Sequence, residues 1–123
     1  MIKRGGKTVL CIGNDPVHLN LRCSLLKEHG WTVLSSGSGH EGVIRFSQDV
    51  VDAVVVDLNN GVAESALITG ELKRLRPEVP VIVLVAEGNH LADVAPQLAN
   101  LVIPKSQEAS MLVDALGALL KPK

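Results

Sequence analysis

The sequence predicts a doubly wound α/β domain on a five-stranded parallel sheet, and three observations lead to it. Continuous β-branched apolar runs recur at Val9 to Ile12, Ala53 to Val56 and Val81 to Val85, the pattern of strands covered on both faces. Segments of helical period lie between them. The chain has 123 residues, 46% hydrophobic and 20% charged, a balance that suits one globular domain burying roughly two-thirds of its unfolded surface. A single domain over residues 1–123 is expected.

The elements follow in order. After the first strand, Asp15 and Pro16 read as helix N-cap and first helical residue, since the carboxylate accepts an orphan amide and proline has none to lose. Val17, Leu21 and Leu25 recur every four residues as the apolar stripe of that helix. Trp31 to Ser35 is a weaker second strand, and Ser38 with Glu41 fits a capping box for the second helix. Strand three is Ala53 to Val56, and Pro77 stops the helix after it. Strand four is Val81 to Val85, followed by a short helix between Gly88 and Pro96. Leu101 to Ile103 is the fifth strand, and Met111, Leu112, Ala115, Leu116, Leu119 and Leu120 give the last helix a wide apolar stripe. No repeat or interdomain linker interrupts the pattern.

Several function classes have nothing to carry them. A net charge of -1 and an aromatic complement of Trp31 and Phe46 argue against a nucleic-acid surface. The apolar runs fall far short of the about 20 residues a membrane span needs, and the basic start from Met1 to Lys7 lacks a signal peptide's apolar stretch. A cytoplasmic location follows as the expectation. Cys11 and Cys23 lack CxxC spacing and read as reduced packing residues. His18, His29, His40 and His90 fall on different elements with no metalloprotease pairing, and neither a GxSxG elbow nor a P-loop is present. Gly37, Gly39 and Gly42 spell GxGxxG with Asp57 about 20 residues on. That motif follows the second strand rather than the first, so a turn with a capping box is the preferred reading.

An alternation of this kind, in the flavodoxin-like strand order 2-1-3-4-5, places its crevice beyond the carboxyl ends of strands one and three. Asp57 ends strand three, and Gly13, Asn14 and Asp15 follow strand one. These groups face one another across the switch point. A lone carboxylate at a strand end is often only a turn or cap residue.

The stretches VLCIGNDPVHLNLRCSLLKEHGWTVLSSGSGHEG, VDAVVVDLNNG, VPVIVLVA and LVIPKS, in that order and spacing, resemble the receiver domains of two-component response regulators over nearly the whole chain. The resemblance implies that Asp57 is the phosphoacceptor, that Lys105 is the cation after strand five, and that Mg2+ assists transfer from a histidine donor. The family's acidic pair falls on Gly13 and Asn14, its Thr or Ser after strand four on Val85, its switching aromatic on Val102, and its Pro after the Lys on Ser106. Candidate Mg2+ ligands by this resemblance are Asn14, Asp57 and Asn59, a weak set. Each close charge pair lost is a gross term of about 4 kcal/mol at an effective dielectric near 20. Val85 lacks a hydroxyl whose bond to a charged group contributes roughly 1.5 to 3 kcal/mol, against about 5.5 for a near-complete population switch.

Two readings stay open. One is a receiver-like phosphorelay domain, its partner a histidine kinase or phosphotransfer protein, with impaired Mg2+-dependent phosphorylation. The other is a phosphorylation-independent pseudo-receiver that acts as a protein-interaction module. Neither is a free-standing metabolic enzyme. In the family the face of the fourth helix, fifth strand and last helix commonly dimerises, and here it includes Leu91, Val94, Leu98 and Leu101; each reads equally as core.

Overall fold

Because side chains alternate along a strand, the apolar runs feed two layers at once. The computed structural model of the chain describes residues 6–58, 62–86 and 99–120. Strands β1 (Thr8–Gly13), β2 (Thr32–Ser36), β3 (Ala53–Asp57), β4 (Val81–Val85) and β5 (Leu101–Pro104) form one sheet in the order β2-β1-β3-β4-β5. Every neighbouring pair is parallel. Helices α1 (Pro16–Glu28), α2 (Gly39–Gln48), α3 (Val62–Leu75) and α4 (Glu108–Leu119) cover it, and a 3-10 turn over Lys105–Gln107 leads into α4. The predicted fold and strand order are those observed.

On one face Val9, Cys11, Val55, Leu84 and Ile103 pack with Leu19, Cys23 and Leu26 of α1 and Leu112 and Leu116 of α4. On the other, Leu10, Ile12, Val56, Val83 and Val85 pack with Phe46 of α2 and Leu72 of α3. Burial on both sides is why these strands carry no polar alternation. Side chains complete the amino ends of two strands: Asp52 Oδ2 accepts the Thr8 amide at 2.7 Å, and Asn100 Oδ1 accepts the Val81 amide at 2.9 Å.

Helix α1 starts as expected, Asp15 accepting the amides of Val17 and His18 at 3.0 and 3.4 Å. Its inward face differs from the predicted stripe. Leu19, Arg22, Cys23 and Leu26 point into the core, while Val17 and Leu21 are 66% and 65% exposed. Two apolar rows run along this helix, and the buried one contains an arginine that finds carboxylates inside. Strand β2 begins one residue later than expected because Trp31 still belongs to the helix terminus. Gly30, at φ 96°, takes the left-handed position of a Schellman closure, with the Gly30 amide bonded to the Lys27 carbonyl and the Trp31 amide to that of Leu26.

Ser38 caps α2, its hydroxyl accepting the Glu41 amide at 3.1 Å. The glycines of the GxGxxG motif serve close packing. A Cβ at Gly39 would lie 2.7 Å from the Ile68 side chain, and one at Gly42 would run into Ile12.

The expected helix between Gly88 and Pro96, with Leu91, Val94 and Leu98, lies outside the described residues, as does Asn59. Leu101 is half-buried against the α1 and α4 layer. Among the described residues no helix is long and apolar enough to cross a membrane.

Candidate functional site at the carboxyl ends of β1 and β3

Strand parity decides what Asp57 meets. Ala53 and Val55 face the α1 and α4 layer, and Asp57, two residues on, faces it too. It is 1% exposed, and Gly13 is its partner in register on β1. From α1, Arg22 Nη2 donates to Asp57 Oδ2 at 2.8 Å. From the turn after β5, Lys105 Nζ forms an ion pair with Oδ1 at 2.6 Å. The two predicted site residues therefore converge on one rim.

Glu108, the first residue of α4, completes the cluster. Its Oε2 accepts from Arg22 Nε at 2.5 Å and its Oε1 from Nη2 at 3.0 Å. Arg22 is thus shared by two carboxylates from different elements. Burial works against its charge, but the bonds and fields of Glu108 and Asp57 outweigh that and raise its pKa above the ordinary arginine value. Its remaining nitrogen, Nη1, is buried with no hydrogen-bond partner among the described residues. A Cβ built on Gly13 would stand 3.7 Å from Nη1 and 3.3 Å from the Asp57 carbonyl oxygen. Beside the cluster opens a cleft of about 280 Å3, its lining including His18, Leu21, Arg22, Lys105 and Glu108.

The other candidates are placed as follows. Asn14 is half-buried in the turn after β1. Asp15 caps α1 and pairs with His18 Nδ1 at 3.2 Å. Val85 is 5% exposed in the α2 and α3 layer, across the sheet from Asp57, and Val102 packs against the same layer. Both belong to the layer opposite the one that Asp57 faces. Sequence reasoning missed Arg22 and Glu108. The available signal was an arginine in the Leu19, Cys23, Leu26 row, beside a glycine where the family has an acid.

Mg2+ takes about six oxygens at roughly 2.1 Å, usually one or two of them from carboxylates. Here both Asp57 oxygens already face cations, Gly13 has no side chain, and Asn14 offers only a neutral amide oxygen. Among the described residues no group of three His, Cys, Asp or Glu is arranged to hold a metal. The described residues do not fit the ion.

No family model matches the chain. The transcriptional regulatory protein GlrR of Escherichia coli K12 is 31% identical over 81 residues, 66% of this chain and 18% of that protein, so the chain spans about a fifth of that relative's length. Response regulator TrrA of Thermotoga maritima, solved with Mg2+ and BeF, superposes with a TM-score of 0.84 at 21% identity, covering 92% of this chain and 98% of that one. The receiver domain of a Pseudomonas aeruginosa PAO1 sensor histidine kinase, with magnesium coordinated in its active-site cleft, gives 0.83 at 20% identity, covering 96% and 100%. The fold is the receiver fold.

Proposed function

We propose that the chain is a receiver domain of the response-regulator kind, and that Asp57 is the phosphoacceptor of a two-component phosphorelay, with Mg2+-dependent phosphorylation impaired. Its partner is a histidine kinase or phosphotransfer protein in the cytoplasm. The observation that carries the reading is the Lys105 ammonium 2.6 Å from Asp57 Oδ1 at the sheet's carboxyl rim.

In this reading an Asp57 oxygen bonds to the phosphorus of a phosphohistidine. The P–N bond breaks and its electron pair returns to the imidazole. Lys105 neutralises charge on the phosphoryl oxygens, so positioning and electrostatics supply the catalysis. Gly13 and Asn14 contribute to the impairment, since a neutral or absent side chain stands at each place where a carboxylate would strengthen metal binding. Val85 contributes no hydroxyl to follow a phosphoryl group, which weakens any conformational response.

The test is intact mass after incubation with Mg2+ and a small phosphodonor, beside a responsive receiver. The expected result is one added phosphoryl mass, formed more slowly than in the control and lost in Asp57→Asn. No added mass at all, or mass retained in Asp57→Asn, overturns the phosphoacceptor assignment, and the first of these favours the interaction-module reading.

A further inference from the structure

We propose that the Arg22 guanidinium, clamped by Glu108, is the resident cation at the Asp57 carboxylate and excludes a divalent metal from it. The inference deepens the reading above and rests on it for the location of the site.

Three observations point the same way. Arg22 lies 2.8 Å from Asp57 Oδ2 with its side chain only 2% exposed, so it is part of the site's floor rather than a surface residue leaning in. Glu108 grips the same guanidinium through Nε and Nη2, a fork that fixes the orientation of a planar cation and that an ammonium does not reproduce. Gly13 is the nearest neighbour of Asp57 on β1. Nη1 stands 3.7 Å from where a Cβ at position 13 would be, ordinary contact distance, so a carboxylate built on that Cβ lies within reach of the guanidinium. The missing acid and the buried arginine are thus one electrostatic arrangement.

The charges close on themselves, with Arg22 and Lys105 set against Asp57 and Glu108. A divalent ion entering this set meets a guanidinium at contact distance and has to displace it to bind both carboxylates. On this account, putting a carboxylate back at position 13 does not by itself restore a metal site. The new side chain pairs with Arg22 instead.

The probe is Mn2+, followed on the full chain by paramagnetic broadening of assigned backbone amides, with circular dichroism to confirm folding. Wild type shows no saturable broadening at Gly13, Asn14 or Asp57. Gly13→Asp, with Arg22 kept, stays equally silent. Gly13→Asp combined with Arg22→Met, which keeps a packed stem and drops the charge, broadens those amides at Mn2+ concentrations at least tenfold lower. Saturable broadening at Asp57 in wild type or in Gly13→Asp overturns the proposal, as does a folded double variant that stays silent. The first two proteins decide the matter even where the double variant does not fold. Phosphoryl mass reports on the phosphoacceptor reading and Mn2+ broadening on this one, so either fails without the other.

Discussion

Arg22 Nη2 and Asp57 Oδ2 lie 2.8 Å apart, and both side chains are all but sealed from solvent. Taking two charges out of water costs several kcal/mol each, which their attraction offsets only in good geometry with further hydrogen bonds. Glu108 supplies those bonds from α4. One guanidinium therefore joins α1 to the end of β3 and the start of α4, at the carboxyl rim of the sheet.

Arg22→Ala leaves the Asp57 carboxylate buried with half its compensation, so it destabilises the domain by about 3 to 5 kcal/mol. Lys105→Ala costs less, about 1 kcal/mol, because the Lys105 side chain is 26% exposed and water partly replaces it. Urea unfolding of the two variants checks the order. A smaller loss for Arg22→Ala than for Lys105→Ala contradicts it.

The Arg22 and Glu108 pair is a two-point fork between α1 and α4, and a double-mutant cycle with Arg22→Met and Glu108→Gln measures it. The expected coupling is about 1 to 3 kcal/mol, the range for contacting residues in one network. Additive losses would show that the fork does not tie the helices.

Gly42→Ala gains about 1 kcal/mol of helix propensity yet is expected to destabilise by about 1 to 3 kcal/mol through overpacking, because the new Cβ runs into the fully buried Ile12. Thermal unfolding reads the sign. A stabilised variant would show that the glycine is not there for packing, and saturable NAD or NADP binding by the wild type would revive the dinucleotide reading of this motif.

Cys11 and Cys23 differ in acidity. The hydrogen bond to Cys11 leads in lowering the Cys23 thiol to about 7, with the cations of Lys27 and Arg22 helping. That same bond, followed by burial, raises Cys11. The thiolate is the nucleophile, so alkylation at Cys23 should precede that at Cys11 and accelerate as pH rises through about 7. Peptide mapping after iodoacetamide checks this, and modification of Cys11 first contradicts it.

Much of the fold was legible because three strands are buried on both faces and need continuous apolar runs; their order was expected from the doubly wound pattern, and the placement of Lys105 beside Asp57 from the resemblance. The start of β2 was misplaced by one residue because Trp31 is both a helix closure and a core side chain. The stripe of Val17, Leu21 and Leu25 was read on the wrong side of α1 because periodicity cannot tell an exposed apolar row from a buried row that carries an arginine. Arg22 and Glu108, 86 positions apart, meet only after the sheet brings α1 and α4 onto one face. No local pattern announces that contact.

A crystal structure grown with Mg2+ and a beryllium fluoride phosphoryl mimic tests the account most directly. It should show the Arg22 guanidinium within hydrogen-bond distance of Asp57 and Glu108 and no metal on the carboxylate. An octahedral Mg2+ on Asp57, with Arg22 swung out into the cleft, would contradict it.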